Sequence, residues 1–175
     1  SSTARNERAW LTNPANDRTA SYHIVVDERE AIECIPLNEV AWHAGDGNGD
    51  GNRKSIGIEI CESGDYAKTL DNAATLVAKL LKDRGWGVDR LRRHFDWSGK
   101  ICPRLMYDNG RWTGWTAFKN LVEYKLRTND VPEDVSPWAR DAHAWVVEKG
   151  ISDGSRPKDT VTREEVWTML YRMRG

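Results

Sequence analysis

Residues 55–61, SIGIEIC, form a short apolar run interrupted by one carboxylate, Glu59. A run of that length is the mark of a strand buried in a sheet centre. A segment of different period follows. TLDNAATLVAKLLKDRG places Leu70, Ala73, Leu76, Val77, Leu80 and Leu81 at helical spacing, and Gly85 stands where such a helix would stop. A chain holding both patterns must lay an amphipathic helix on a sheet.

The flanking segments extend that picture. TARNERAWL sets Ala4, Ala9 and Trp10 among charges, and Asn13-Pro14 ends the pattern, so a helix is expected over about residues 3–12. SYHIVVD is β-branched and aromatic. It reads as a strand, with a turn at 27–30 and a second strand at AIECIP, together a hairpin. GDGNGDGN, residues 45–52, reads as a long loop. DRLRRHFDW is expected as strand or extended loop, and RWTGWTAFKNLVEYKL as a further helix. The order predicts an α/β fold, a mixed central sheet flanked by helices. TNDVPEDV, residues 128–135, reads as a linker between a domain at 1–127 and a helix–loop–helix appendage at 136–175. In the appendage Thr162 and Glu165 form a capping-box pattern. Two helices of that length bury little alone, so they must dock, self-associate or bind something.

Composition narrows the partners. The 175 residues carry 26 basic and 27 acidic side chains, a net charge of −1, which gives no electrostatic reason to expect nucleic acid or a membrane surface. No apolar run is long enough to span a bilayer. Nine tryptophans against two phenylalanines are unusual, and composition cannot separate core tryptophans from those lining a polar cleft. Cys34, Cys61 and Cys102, odd in number and irregular in spacing, fit reduced thiols better than a disulfide framework. No signal peptide is visible. The expectation is synthesis in a cytoplasm. The chain begins at Ser1 without a methionine, as removal of an upstream segment would leave it.

Several residues carry possible chemistry. His94 and Cys102 lie on the irregular segment RRHFDWSGKICPR, and an imidazole with a thiolate suits tetrahedral zinc. Read blandly, they are a surface histidine and a buried free cysteine. Two ligands also fall short of the three that a catalytic zinc uses. Glu59 is either an edge carboxylate facing water or a general base whose pKa is raised by burial. Lys100 is either a solvated loop lysine or a cation for negative charge developing on a substrate oxygen. His23 and Tyr22 are strand neighbours, so only one of them can face a given cleft. His43 sits at the mouth of the glycine-rich loop, and His143 reads as a packing or surface histidine of the tail. GDGNGDGN resembles half of a calcium loop, but the glutamate required at its twelfth position is replaced by Gly57, which leaves a flexible substrate-side loop.

Five stretches in order, ASYHIVVDE, IPLNEVAWHAGDG, NRKSIGIEIC, LLKDRGWG and RRHFDWSGKICPR, resemble the zinc-dependent N-acetylmuramoyl-L-alanine amidases of type 2. These occur in phage and prophage endolysins of Bacillus-type hosts and share a fold with peptidoglycan recognition proteins. The resemblance covers about residues 3–127. It implies peptidoglycan as partner, Zn2+ as cofactor, and hydrolysis of the amide between N-acetylmuramic acid and the first L-alanine of the stem peptide. For a phage lysin it implies action on the wall after release from the host. His94 and Cys102 match the second and third zinc ligands, Glu59 the proposed catalytic base, and Lys100 the lysine that stabilises the tetrahedral intermediate. Tyr22 occupies the place of a catalytic tyrosine found in some members. His43 matches a cleft residue near the substrate peptide, and Trp42 and Asn52 are placed with it on the substrate side.

The chain departs from the family pattern in one respect. The first zinc ligand normally lies on an opening strand ahead of the first helix, and the sequence starts at Ser1, past that place, as either a trimmed fragment or a chain with an incomplete site would. Without that strand a pairing edge of the sheet would be exposed. The alternative function is a module that binds peptidoglycan without cutting it. The tail, SPWARDAHAWVVEKGISDG with RPKDTVTREEVWTMLYRM, resembles a single S-layer-homology motif. That implies cell-wall attachment or self-association through these helices; a neighbouring chain filling the exposed sheet edge is a separate route to self-association.

Overall fold

A computed structural model describes residues 2–128 and 130–174. The chain divides into two compact units, Ser1–Glu123 and Tyr124–Gly175. The division falls inside a helix, not within the 128–135 stretch.

In the first unit, helix α1 (Ala4–Leu11) starts where Thr3 caps it, its hydroxyl accepting from Asn6 N at 3.3 Å. A second free donor at that end, Ala4 N, reaches the buried Asp27 carboxylate at 2.9 Å. Asp27 Oδ1 also accepts from the backbone of Arg29 and Glu30, at 2.8 and 2.9 Å. One carboxylate thus forms the hairpin turn and docks the helix onto it. The hairpin is β1 (Ile24–Val26) and β2 (Ala31–Glu33), antiparallel with Val25 opposite Ile32. β3 (Ile58–Ile60) lies parallel to β1, with Val25 opposite Glu59, and the order is β2-β1-β3.

The sheet is mixed, as expected, but the strand in its centre is not the expected one. β1 is buried at all three residues, whereas β3 pairs on one side only among the described residues. The apolar run at 55–61 records that Ile58 and Ile60 are half-buried; it carries no information about how many neighbours the strand has. By alternation, Glu59 points to the face opposite these isoleucines.

The two faces are covered differently. Ala4 of α1 packs with Tyr22, Val25 and Cys61 on one. Helix α3 (Tyr66–Lys82) packs against all three strands. Its buried residues are Thr69, Ala73, Ala74, Val77, Ala78 and Leu81, mostly small, so the helix backbone can approach the sheet closely. Leu70, Leu76 and Leu80 lie half-buried on its flanks. Asp65 caps it, accepting from Lys68 N at 3.1 Å. Gly85 follows it in a left-handed conformation at φ 64°, with Trp86 N returning to Leu81 O at 2.9 Å.

Two short helices stand where loops or strands were expected. The glycine-rich loop closes into α2 (Asp50–Lys54), and RRHFDWSGK contains α4 (His94–Ser98). In the second case Asp96 accepts from Arg93 N at 2.7 Å, and Gly99 stops the helix at φ 75°. Helix α5 (Thr113–Thr128) completes the first unit and runs into the second.

In the second unit, helices α6 (Arg140–Glu148) and α7 (Arg163–Arg172) follow a 3-10 turn at Pro137–Ala139. The Thr162–Glu165 capping box is present, with bonds of 3.2 and 2.8 Å. Val131 and Val135, from the stretch expected to be a linker, are buried with Ala144. His143 Nε2 bonds the Gly154 carbonyl at 2.8 Å, which makes it a packing residue of this unit. Among the described residues no helix is long and apolar enough to cross a membrane.

Candidate active site

The site grows from the start of the central strand. His23, 1% exposed, accepts at Nδ1 from Gly57 N at 2.9 Å and donates from Nε2 to Glu39 O at 3.0 Å. Both ring nitrogens are therefore used, and the pattern requires a neutral ring protonated at Nε2. His23 is the rivet that joins β1, the turn at 36–39 and the entry to β3. Tyr22, beside it, faces the other way into the α1 packing, and its hydroxyl meets the backbone carbonyl and carboxylate of Glu7 at 3.2 and 3.3 Å. Burial, then Glu7, push its phenol well above the usual tyrosine value.

The loop at 43–52 is a tied bracket. Asp46 accepts from Gly51 N at 2.7 Å and Asn52 N at 3.1 Å, satisfying the free donors at the start of α2. That use of Asp46 as a helix cap accounts for the apparent half of a calcium loop. Asn52, 2% exposed, accepts at Oδ1 from the backbone of both His43 and Ala44 at 2.7 Å, and donates from Nδ2 to Gly47 O at 2.9 Å. Its carboxamide is thus engaged inside the loop. His43 packs on the His23 ring, centroids 5.7 Å apart. Burial holds His43 below the ordinary imidazole value, against a hydrogen bond to the Ser55 backbone. Trp42 beside it is 45% exposed.

Glu59, Lys100 and Cys102 come together from β3 and from the segment after α4. Glu59 is open to solvent, yet protein crowds its carboxyl. That crowding, then the Glu7 carboxylate, raise its pKa, while the Lys100 ammonium opposes them. Solvent access limits the size of the effect. Burial and then Glu59 also raise the Cys102 thiol, again against Lys100. His94, on the first turn of α4, is lowered by burial and then by Lys100. The backbone ties these pieces, since Phe95 N donates to Cys102 O at 3.3 Å. Lys100 is exposed and acts on Glu59, Cys102 and His94 together.

His94 and Cys102 have the donor chemistry that zinc prefers. Among the described residues no group of three His, Cys, Asp or Glu side chains gathers to hold a metal ion. The backbone bond from Phe95 N to Cys102 O ties the segments that carry these two side chains. All three cysteines are unbridged, and burial pushes the Cys61 thiol up to about 12, as befits an inert core residue.

Glu7 was not among the expected site residues. It bonds Tyr22 and raises Glu59, and its only sequence signal is an acidic residue in the first turn of an amphipathic helix. Arg93 is a second omission. Its guanidinium lies 4.2 Å from the Trp112 ring and pairs with Asp96 at 2.6 Å, which anchors the start of α4 next to His94.

The N-acetylmuramoyl-L-alanine amidase family matches residues 1–105. The chain is 48% identical over 129 residues to the amidase CwlA of Bacillus subtilis strain 168, covering 71% of this chain and 46% of that protein. It is 49% identical over 128 residues to XlyB of the same organism, covering 70% and 39%. The chain spans less than half the length of these relatives. Among solved structures, the catalytic domain of XlyA superposes with a TM-score of 0.63 at 44% identity, covering 69% of this chain and 76% of that one. The solution structure of the PlyG catalytic domain gives 0.62 at 40% identity, covering 75% and 79%.

Proposed function

The chain belongs to the N-acetylmuramoyl-L-alanine amidase family, and on that premise we propose that the protein hydrolyses the amide between N-acetylmuramic acid and L-alanine in peptidoglycan, as a phage-type endolysin. What supports the reading is that Glu59 of β3 and His94 and Cys102 of the α4 segment all feel the Lys100 ammonium, while Phe95 N holds Cys102 O at 3.3 Å beside His94.

In this reading each residue has a distinct task. His94 and Cys102 would hold zinc together with a donor from outside the described residues. When bound, the metal supplies Lewis-acid polarisation of a carbonyl and a lowered pKa for water. Glu59, with its raised pKa, takes a proton at its carboxylate from the attacking water and returns it to the departing amine of L-alanine. The Lys100 ammonium holds the negative charge that develops on the carbonyl oxygen. His43, kept neutral, and the exposed Trp42 border the substrate. Asn52 acts from beneath them. Tyr22 acts through Glu7, which its hydroxyl contacts, on the carboxylate of Glu59.

Glu59→Ala should reduce cell-wall lysis by about 10²–10⁴-fold while bound zinc is retained. Lysis at the native rate by that variant would sink the assignment. The second reading is a module that binds peptidoglycan without cutting it. Metal analysis and a peptidoglycan pull-down separate the two: one zinc per chain with lysis supports the enzyme, whereas retention on peptidoglycan with neither supports the binder.

A further inference from the structure

The loop between His43 and Asn52 does more than border the cleft. Its interior is a polar lattice with little slack. Asn52 is almost wholly buried, and its carboxamide holds two consecutive backbone amides, His43 N and Ala44 N, at 2.7 Å each. Both acceptor sites of Oδ1 are thereby filled, and Nδ2 closes the loop onto Gly47 O at 2.9 Å. Asp46 fixes Asn52 in turn, through its backbone N–H at 3.1 Å.

The lattice presses on both imidazoles of the site. A Cβ at Gly45, which has φ 72°, would fall 2.9 Å from His94 Nε2 and 3.1 Å from Ser98 Oγ, so the bare backbone of this loop rests against the His94 ring. Gly57 likewise leaves only enough room for the His43 ring. His43 Nε2 is buried without a hydrogen-bond partner, and the ring is held by a bond to the Ser55 backbone and by packing.

We infer that Asn52 is a positioning residue of the active site, which sets His43 through its backbone amide and His94 through the Gly45 backbone. The inference rests on the amidase reading for its effect on rate, and on geometry alone for its effect on the two rings. Displacement of reacting groups by about 1 Å can cost on the order of 100-fold in rate.

The test uses the full chain with Asn52→Ala and Asn52→Asp, observed by kinetics on purified peptidoglycan and by the ring 15N–1H signals of His43 and His94. Asn52→Ala should lower kcat by about 10- to 100-fold with little change in KM, and should shift both sets of ring signals. Asn52→Asp keeps the two acceptor bonds but turns a carboxylate oxygen toward Gly47 O and buries a charge near Asp46, so it should open the Gly47 end of the loop yet leave the His43 signals nearer native than Asn52→Ala does. Should Asn52→Ala fail to fold, Gly45→Ala carries the test, because its added methyl must displace the His94 ring and lower kcat. Native kcat and unmoved ring signals in a folded Asn52→Ala or in Gly45→Ala would overturn the inference. If the native chain cuts no peptidoglycan, the amidase reading fails by itself. The ring signals still decide whether Asn52 positions the two histidines.

Discussion

The two units of this chain handle polar and apolar side chains in opposite ways. In the first, three buried polar side chains are tied down: His23, Asp27 and Asn52 are each at most 3% exposed and each makes two or three hydrogen bonds. In the second, the buried cluster is Val131, Val135 and Ala144, while Trp138, Trp167 and Tyr171 are 87%, 62% and 67% exposed. A buried, satisfied polar network fixes geometry to a few tenths of an ångström, and chemistry needs that. An open aromatic surface on a small core is suited to contact, not to catalysis. The site therefore belongs to the first unit.

Substitutions can sharpen or break that contrast. The largest effect on stability is expected from Asp27→Asn, which leaves one oxygen where a carboxylate served three N–H donors; chemical denaturation should show a loss of about 1–3 kcal/mol. The same carboxylate gives a pH signature. Burial alone would raise Asp27, but the N–H groups of Ala4, Arg29 and Glu30 lower it below its ordinary 3.8. A depressed folded pKa contributes stability above the unfolded value, and that stability is lost as pH falls through the folded one. The native chain should thus lose stability below about pH 4, and Asp27→Asn should show a shallower acid limb.

A middle-sized effect is expected in the second unit from Gly154→Ala. Gly154 has φ 74°, and a Cβ there would fall 2.6 Å from both His143 Nε2 and Val147 Cγ2. Chemical denaturation should show this unit losing about 1–2 kcal/mol, while the first unit unfolds as in the native chain. Trp138→Ala should be the mildest, within about 0.5 kcal/mol by thermal unfolding, because an indole so exposed contributes little to the fold. A large loss there would mean that the aromatic surface is a working part of the core, and the contrast between the units would fail.

Much of the first unit was legible in the sequence because its signals are local. The hairpin follows from β-branched runs about a polar turn, and α3 from a 3.6-residue period. The mixed α/β class follows from their order. Edge and centre were not legible. Ile58 and Ile60 are apolar because α3 packs over them, and that pattern is the same whether β3 has one neighbour or two. α4 was missed because HFDWS is too short for a period to show, and its capping depends on Arg93 and Asp96 meeting in space. The grouping of Glu59 with Lys100 and Cys102 joins residues some forty positions apart, so it came from family resemblance, not from spacing. Glu7 had neither signal. Asn52, expected on the substrate side, is 2% exposed, and its carboxamide makes three hydrogen bonds inside the loop, which no sequence pattern signals.

The central claim is the bond that is cut. Purified Bacillus peptidoglycan should be digested with the protein in its full encoded length, and the newly exposed groups identified. The account predicts free amino groups on L-alanine, stem peptides released intact, and no increase in reducing sugar ends. New reducing ends without free L-alanine amines, or peptidoglycan bound and left uncut, would contradict it.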